Sequence, residues 1–514
     1  MISKQAIQAF LARKLNNYSW AKRCSPAALR QAVYSLTPKP DFGSIQPWAH
    51  QLVSFLLLQE LKRFQLHIDM GGGKTAITLM LLKYRKQCGE RPRAIVFVPY
   101  ITSVETWVEE VAKHAPDLTC VPLLGGTVDN LSSLQLPGDL FVVCYQSAVA
   151  MVTFSVAGGN GRTKWQLTSS QVREHFASFD TLVLDEIHRC KNCTSLTYRM
   201  CRAISAQCEY VLGLTGTPFG RDLSDLWPQY NLIDFGATLG PTKGFFMEVF
   251  YTQKPGYWTK YTFKFKQRLL PDLKRMMKNC SISYSIDEFA DMLPKQYFIK
   301  QLPCPPDVKG YCQLAIAAIN REVKGKKTFQ VIESNYQQLC QLSSGFLTLK
   351  DEAKAKLQVR FASNPKLDLM MELIEAMPHG CKAVIFHHFI YSSFVISERL
   401  KEAKIKHARI WGGQKDPIGE LRRFKQDPNC AILVLNWRSG SASLNLQNAN
   451  YVYVYEQPDS PIDRKQGEAR VWRPGQAKRV MIYDLLVQGT YDRRTYEANR
   501  ASRRVLDDVM GRKS

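Results

Sequence analysis

Short apolar runs recur in two stretches of this 514-residue chain, each run bounded by glycine, proline or polar residues. The first stretch contains LHIDM, AIVFVPY, FVVCYQ, TLVLDE and YVLGLTG. The second begins near residue 381 and contains KAVIFHHF, HARIWGG, AILVLNW, YVYVYEQ and VMIYDLL. Helical stretches separate the runs, which is typical of buried parallel strands with functional loops at their carboxyl ends. The pattern predicts an α/β fold with two parallel sheets.

The region between the two series lacks this alternation and is richer in lysine, aromatic and helical patterns. A chain of this length exceeds what one hydrophobic core supports, so several domains are expected. No apolar run approaches the roughly 20 residues of a membrane-spanning helix, and we expect no membrane association. We predict a basic N-terminal helical segment over 1–44, a first α/β lobe over 45–235, a mainly helical insertion over 236–360, and a second lobe with a basic tail over 361–514.

The charge balance is unusual, because 69 lysines and arginines face 45 acidic residues and leave a net charge of +24. Such an excess indicates a polyanionic partner, most often nucleic acid, although a merely basic surface is the alternative. The first acidic residue is Asp41. We favour a small basic module near nucleic acid for this acid-poor start, over an organelle transit peptide. The 14 scattered cysteines are typical of a reducing compartment, so the cytoplasm is expected, with the nucleus or an organelle as open alternatives.

The segment HIDMGGGKTAIT, residues 67–78, follows an apolar run and begins a helical stretch. Glycines at such a turn let backbone N–H groups face phosphate oxygens, a lysine adds positive charge, and a threonine hydroxyl suits Mg²⁺. The strict phosphate-loop pattern needs glycine at the position of Ile68, and a plain glycine turn is the alternative. We predict a nucleotide site formed by Met70, Gly71, Gly72, Gly73, Lys74, Thr75 and Ala76.

A second candidate lies at the end of TLVLDE, where Asp185 and Glu186 follow an apolar strand. If this strand neighbours the phosphate loop, Asp185 would hold Mg²⁺ together with Thr75, and Glu186 would orient or deprotonate the attacking water. In LGLTGTPFG, residues 215–217 either relay the nucleotide state to another surface or form a simple turn.

The segment QGEARVWRPGQ places Gln466, Arg470 and Arg473 at a spacing that predicts one face of a helix. Two arginines on one face suit a γ-phosphate approached from across a cleft, and a solvated basic face is the alternative. Cys190 and Cys193 form a C-x-x-C, the spacing of zinc sites and redox pairs. We interpret them as cysteines without a role in the function, because a zinc site would need two further ligands.

Taken together, DMGGGKT, DEIHRCKN, LTGTP and QGEARVWRPGQ, in this order, resemble the Swi/Snf type of superfamily 2 helicases and translocases. The resemblance extends to VPYITSVETWVEE, CYQS, MLPKQ and VQGTYD, and it covers roughly residues 45–495. The chain departs from the family pattern where SGSASLNL replaces a glycine-rich motif, where Trp472 replaces a histidine, and where Gly467 replaces an alanine.

The resemblance implies two RecA-like lobes with ATP between them. The implied catalytic residues are Lys74, Asp185 and Glu186 on the first lobe and Arg470 and Arg473 on the second. It also implies that Gln51 contacts adenine, that Gly440 and Gln466 join the nucleotide site, and that coupling to the rest of the motor involves His188, Thr215, Gly216 and Thr217. Candidate residues for tracking nucleic acid, each with an ordinary core or surface position as the alternative, are Tyr100, Tyr145 and Arg438.

The implied activity is ATP- and Mg²⁺-dependent movement along double-stranded DNA, or its remodelling, without sequence preference. One alternative is a helicase that separates strands of branched, single-stranded or RNA substrates. Another is a non-catalytic nucleic-acid-binding recruitment protein, against which the intact set of candidate catalytic residues argues. The sequence indicates no particular protein partner.

Overall fold

The computed structural model describes residues 3–157, 163–255, 261–313, 337–350, 356–414, 416–437 and 444–510. These residues form two compact units. The first unit takes the described residues of Met1–Lys254, Tyr261–Asp291 and Leu506–Ser514, and the second takes those of Pro255–Lys260 and Met292–Val505. The boundaries expected after residues 44, 235 and 360 stay predictions, because units defined by spatial contact need not end where a sequence pattern changes.

The first unit is built on a seven-stranded sheet in the order β11-β1-β8-β7-β2-β4-β3, with parallel pairing throughout. All five apolar runs of the first series are strands of this sheet. A hairpin of β5 and β6 and a pair of β9 and β10 lie outside it. The strands are β1 Arg63–Ile68, β2 Ala94–Val98, β3 Cys120–Leu123, β4 Leu140–Cys144, β5 Phe154–Ala157, β6 Thr163–Gln166, β7 Thr181–Asp185, β8 Tyr210–Leu214, β9 Tyr251–Pro255, β10 Tyr261–Phe265 and β11 Ser281–Tyr284.

The helices of the first unit are α1 Lys4–Ala12, α2 Pro26–Tyr34, α3 Ala49–Leu61, α4 Lys74–Gln87, α5 Ile101–His114, α6 Thr127–Ser133, α7 Tyr145–Met151, α8 Ser169–His175, α9 Leu196–Ser205, α10 Leu226–Asp234, α11 Lys243–Phe250 and α12 Leu270–Met277. Short 3₁₀ helices cover Tyr18–Arg23, Ile187–Cys190, Leu223–Asp225, Gln267–Leu269 and Ile286–Glu288. The acid-poor start is helical and packs on this unit: the Phe10 ring lies 4.8 Å from that of Phe245, and α2 buries Leu29 and Val33.

The second unit has a six-stranded parallel sheet in the order β12-β19-β18-β15-β17-β16, which contains all five runs of the second series. Its strands are β12 Gln296–Leu302, β15 Ala383–His387, β16 His407–Ile410, β17 Ile432–Asn436, β18 Tyr451–Val454 and β19 Met481–Val487, and a separate antiparallel pair is β13 Phe346–Lys350 with β14 Lys356–Arg360. Its helices are α13 Pro365–Glu375, α14 Ile390–Glu402, α15 Pro417–Gln426, α16 Pro461–Val471 and α17 Tyr491–Met510. Helix α17 begins in this unit and ends in the first.

The apolar runs are continuous because the strands are covered on both faces. In β15, Val384 and Phe386 belong to one core cluster, whereas Ala383 and Ile385 belong to another. Successive side chains of a strand point to opposite faces, so both faces of this sheet are dry. The predicted α/β class with two parallel sheets is confirmed. No helix in the described part of the chain is long and apolar enough to cross a membrane.

Candidate functional site

The glycine-rich loop connects the end of β1 to the first residue of α4 in the first unit. Gly73 precedes the helix with a φ of +76°, in the left-handed region that favours glycine. A Cβ at this position would lie 2.1 Å from Nε2 of Gln51, so a side chain here would also displace the Gln51 amide from the loop. The loop therefore keeps a tight turn that leads into the amino-terminal end of a 14-residue helix, the kind of end that attracts anions.

Lys74 is the first residue of α4, and its Nζ donates a hydrogen bond of 2.9 Å to the backbone carbonyl of Ile68. The ammonium group thus lies over the loop at the carboxyl end of β1. Thr75 and Ala76 follow in the first turn, and Met70 lies in the loop, all three partly exposed. The residues predicted for phosphate binding are brought together around one helix end.

Two residues of α3 hold the loop from the other side. Nε2 of Gln51 donates to the carbonyl of Gly72 at 3.2 Å, and Nε2 of His50 donates to the same oxygen at 2.7 Å. The Gln51 carbonyl oxygen accepts from the Trp48 backbone N–H at 2.9 Å, which orients the amide. Burial lowers the pKa of His50 despite the nearby Gly72 carbonyl. Sequence reasoning missed His50, because an isolated histidine in an apolar helix carries no signal of a loop 22 residues further on.

Glu186 follows β7 in a left-handed conformation, with a φ of +52°. Its Oε2 accepts from the Thr215 hydroxyl at 2.9 Å and from Nδ1 of His188 at 3.1 Å. The backbone N–H of Thr217 in turn donates to the Thr215 hydroxyl oxygen at 3.1 Å. Burial acts to raise the pKa of Glu186, but the bonds from His188 and Thr215 and the charge of Lys74 outweigh it and lower the pKa. Glu186 is therefore held as a carboxylate.

Asp185 is the last residue of β7, and its Oδ2 accepts from the Trp107 indole N–H at 3.2 Å. Burial and the neighbouring charge of Glu186 raise the pKa of Asp185, against the opposing charge of Lys74. The groups around Asp185 thus do not fully balance the negative charge of its ionised form. Trp107 lies 78 residues upstream on α5, so only the fold brings the indole to this carboxylate.

The strand carrying these two acids is not a hydrogen-bonded neighbour of β1, which corrects the expectation from the sequence. Strand β8 pairs with β1 on one side and with β7 on the other. The loop after β8, with residues 215–217, consequently lies between the glycine-rich loop and the acidic pair. This order explains why Thr215 bonds Glu186, and it places all the residues predicted for coupling beside the acidic strand.

The candidates for nucleic-acid contact differ in their placement. Tyr100 precedes α5, is partly exposed, and stacks against the Arg189 guanidinium at 4.6 Å. Tyr145 is only 4% exposed, and its hydroxyl donates to the backbone carbonyl of Asp185 at 3.1 Å. That position favours the alternative in which Tyr145 is a core residue. Arg438 lies outside the described residues, as does the predicted nucleotide contact Gly440.

In the second unit, Gln466 and Arg470 are buried residues of α16. The Arg470 guanidinium donates to the carbonyl of Leu444 at 3.3 Å. The helix ends at Val471, so the prediction that Arg473 shares its face is wrong. Arg473 precedes Pro474, whose ring disfavours helical geometry in the residue before it. Arg473 is partly exposed beyond the helix end.

Gly467 on α16 contacts an aromatic pair that the sequence did not indicate. The Trp437 ring stacks on Phe386 at 4.1 Å, and a Cβ on Gly467 would lie 2.5 Å from Trp437 Cζ3. Glycine replaces the family's alanine at a position where the Trp437 indole fills the space that a methyl group would need.

The C-x-x-C does not pair with itself. The buried Sγ atoms of Cys190 and Cys201 lie 3.7 Å apart, on the 3₁₀ helix after Glu186 and on α9. Within the described residues, no group of three or more His, Cys, Asp or Glu side chains is arranged to hold a metal ion.

Two family models match this chain, the SNF2-related domain over residues 51–301 and the helicase conserved C-terminal domain over residues 365–475. The Bacillus subtilis protein YwqA, whose name describes an ATP-dependent helicase/translocase, is 24% identical over 92% of this chain and 49% of its own length. The Arabidopsis thaliana CHD3-type chromatin-remodeling factor CHR7 is 24% identical over 93% of this chain and 38% of its own. The chain thus spans half or less of these relatives.

Among solved structures, the Sulfolobus solfataricus SWI2/SNF2 ATPase core in complex with dsDNA aligns with a TM-score of 0.41 and 19% identity, over 92% of this chain and 94% of that one. The two matched domains follow each other in the order expected from the motifs. The first contains the seven-stranded sheet, and the second contains β15, β16, β17 and β18 of the six-stranded sheet. The chain belongs to the Swi/Snf type of superfamily 2 helicases and translocases.

Proposed function

We propose that this chain is an ATP-driven motor that moves along, or remodels, double-stranded DNA. The observation that carries the proposal is the joint arrangement around Lys74, Asp185 and Glu186. One ammonium group acts electrostatically on both carboxylates, and the carboxylates differ in how their charge is compensated. Such a pair of acids in unlike environments suits one group for cation binding and the other for handling a proton.

The residues fit a divalent cation at Asp185. Its carboxylate is buried beside a second carboxylate, and a cation would supply the compensation that the protein does not. In our proposal, Asp185 and the Thr75 hydroxyl hold Mg²⁺. The ion would neutralise charge on the phosphates of ATP.

Glu186 has the features of the group that orients or deprotonates the attacking water. It is ionised, and the Thr215 hydroxyl and His188 fix its Oε2. Lys74 would bind the β- and γ-phosphates, with the N–H groups of residues 71–73 and the start of α4. Gln51 would contact the adenine, as the resemblance to the family implies, and its amide lies at the loop beside Gly72.

We further propose that Arg470, Arg473 and Gln466, residues of the second matched domain, take part in nucleotide binding. Arginine suits the γ-phosphate because its planar guanidinium donates two parallel hydrogen bonds and stays charged. Thr215, Gly216, Thr217 and His188 would couple the state of the nucleotide to the rest of the motor. The net charge of +24 supports a polyanionic track, gripped mainly through phosphates rather than bases.

The test is the steady-state rate of ATP hydrolysis with duplex, single-stranded and forked DNA and with RNA. We expect little hydrolysis without nucleic acid and strong stimulation by duplex DNA. Lys74→Ala should remove the stimulated rate. Triplex displacement by the wild type would report translocation. Equal stimulation by RNA would contradict the DNA assignment, and strand displacement without triplex displacement would favour the strand-separating alternative.

A further inference from the structure

A pocket of about 700 Å³ lies in the second unit, beside the outermost strand β16. Helix α14 and the turn after it form one wall, and α15 forms another. We call this feature the basic pocket, after the side chains that line it: Lys401, Lys404, Lys406, His407, Arg409 and Arg423.

The outward backbone groups of β16 are already bonded by α15. Glu420 accepts from the Arg409 backbone N–H at 2.9 Å, and Arg423 donates to the carbonyl of His407. Arg423 also forms an ion pair of 2.7 Å with Glu420. The edge strand is therefore covered, which removes a site for strand addition. A ligand in the pocket would therefore contact its side chains and not the backbone of β16.

Five lysines and arginines line the pocket against two acids, Glu420 and Asp427, an excess of three positive charges. Burial lowers the pKa of His407, and the charges of Arg423, Lys401 and Arg409 add to this effect, against the Ile405 carbonyl. Three cations on different elements thus act on one half-buried ring. The two acids of the pocket therefore leave part of its positive charge without a neutralising partner in the lining.

One of these cations is held in place by aromatic rings. The Arg409 guanidinium lies 4.3 Å from the ring centre of Phe394 and 5.9 Å from that of Trp411. His407 is fixed as well, since its Nδ1 donates to the Ile405 carbonyl at 3.0 Å and its Nε2 accepts from the Ser397 hydroxyl at 2.6 Å. Side chains ordered in advance lose less entropy when an anion binds.

Parallel α/β sheets bind ligands at the carboxyl ends of their strands. Of the residues that line the basic pocket, only Gln414 follows the carboxyl end of a strand. His407 begins β16, and Cys430 lies just ahead of β17. Trp437 follows the other end of β17, whose five residues span roughly 15 Å at about 3.3 Å per residue. The basic pocket thus lies mainly beside the amino-terminal ends of β16 and β17.

We propose that the basic pocket binds backbone phosphates of a second duplex DNA segment, distinct from the one along which the motor moves. This inference rests on the proposed function for its choice of DNA. Lysine and arginine contact DNA phosphates without reading sequence. The lining contains few apolar side chains, Ile405 and Cys430, so it lacks the apolar anchors of a peptide groove.

The experiment measures bridging of two duplexes by the full chain. One duplex is immobilised, the chain is added, and retention of a labelled second duplex is followed over a series of salt concentrations. The wild type should retain the labelled duplex at low salt. The triple variant Lys401→Gln, Lys404→Gln, Lys406→Gln should retain it about tenfold less. Because each lost phosphate contact removes about 0.9 from the slope of log affinity against log salt, the slope should flatten by roughly two to three.

The matched control is Lys309→Gln, Lys478→Gln, Arg479→Gln, which removes the same charge from exposed positions of the second unit. Lys478 and Arg479 precede β19, which lies three strands away from β17 in the sheet, so they are outside the pocket. This variant should bridge like the wild type. Both triple variants should keep DNA-stimulated ATP hydrolysis within about twofold, because neither touches the nucleotide site.

Equal loss of bridging in both triple variants, or equal retention, would overturn the inference. So would a wild type whose ATP hydrolysis responds to DNA but which bridges no second duplex. Competition by poly-glutamate as effective as that by unlabelled duplex would overturn the assignment to phosphates. Bridging that depends on the pocket in a chain without DNA-stimulated hydrolysis would support the pocket and contradict the proposed motor.

Discussion

Individual residues at the candidate site differ in how they are supported. Glu186 is fixed by two donors, the nearby His188 and the more distant Thr215. Asp185 accepts a hydrogen bond from an indole, and burial destabilises its charged form. This asymmetry follows from the sheet order, because the loop after β8 reaches Glu186 with Thr215. Two adjacent acids with the same chemistry thereby acquire different tasks in the proposed mechanism.

Glu186→Gln should lower the kcat of ATP hydrolysis by about 10²–10⁴-fold, the range for loss of a general base. Nucleotide binding should persist, because the phosphate loop is unchanged, and a fluorescent ATP analogue measures it. Glu174→Gln, an exposed acid on α8, serves as the control and should leave kcat unchanged. Unaltered turnover in Glu186→Gln would contradict the assigned role.

Gly467→Ala should destabilise the second unit by about 1–3 kcal/mol, because the added methyl group would overlap the Trp437 ring. Urea unfolding followed by the hydrogen exchange of β15 and β17 measures this. The smaller ring of Trp437→Phe should reduce the effect of the alanine in a double-mutant cycle. Additive effects would show that the two residues do not contact.

The residues found from sequence are those whose chemistry lies in one short segment. Lys74, Thr75 and the acidic pair lie in local patterns, and the combination of these patterns predicted their roles. His50 bonds a residue 22 positions further along the chain, and Trp107 bonds one 78 positions further along. No pattern in the sequence around either residue indicates these contacts. Tyr145 shows the opposite failure: its segment matches a family motif, yet the fold buries the ring.

At the scale of elements, α16 is tied to its neighbours by the buried carboxylate of Glu468. It accepts from Lys295 Nζ at 2.8 Å, from the Tyr297 hydroxyl at 2.7 Å, from Arg464 at 2.7 Å and from Arg503 of α17 at 3.0 Å. Burial acts to raise the pKa of Glu468, but the surrounding cations hold it well below the usual range. The carboxylate thus joins α16 to β12 and α17.

Glu468→Gln should cost about 3–5 kcal/mol at pH 7, because it leaves buried cations without their partner. The folded pKa is lower than the unfolded value of about 4.3, so the stabilisation is complete above that pH and is lost as pH falls below it. The stability difference between wild type and variant should therefore shrink below about pH 4 in urea unfolding. Glu497→Gln, at an exposed pair on α17, should show neither effect.

Strands were predictable mainly where both of their faces are buried. The outermost strand β16, with alternating burial, is an exception. The ten apolar runs all became sheet strands, whereas β3, β11 and β12 were missed. β11 and β12 lie in the region expected to be mainly helical, and all three are outermost strands of their sheets. An outermost strand pairs on one side only, and β12 alternates between exposed and half-buried residues, so its sequence QYFIKQL lacks a continuous apolar run. The end of α16 was predictable from Pro474, which the helical spacing of the arginines obscured.

At the scale of the whole molecule, the carboxyl end of the chain contributes to the core of the first unit. Leu506, Val509 and Met510 are buried there, and the carbonyl of Met510 accepts from the Ser283 hydroxyl of β11 at 3.1 Å. These residues follow the second unit in sequence but do not belong to it.

Replacing Leu506 and Val509 with serine should destabilise the first unit by about 3–5 kcal/mol, from the loss of two buried apolar side chains. Hydrogen exchange of β11 should accelerate, while that of β15 and β17 should not. The matched pair Arg504→Ser and Val505→Ser changes exposed positions on the same helix and should leave both rates unchanged. Equal acceleration in the two pairs would contradict the placement.

The path of α17 also determines whether two fragments of the chain stay together after a single cut in the backbone. Two of the passages of the chain between the units lie at residues 291–292 and 505–506. A protease that cuts once between residues 291 and 292 yields fragments 1–291 and 292–514, but the second fragment still supplies three side chains to the core of the first unit. The nicked protein should therefore migrate as one particle until it is denatured, and fragment 1–291 alone lacks part of the core of the first unit.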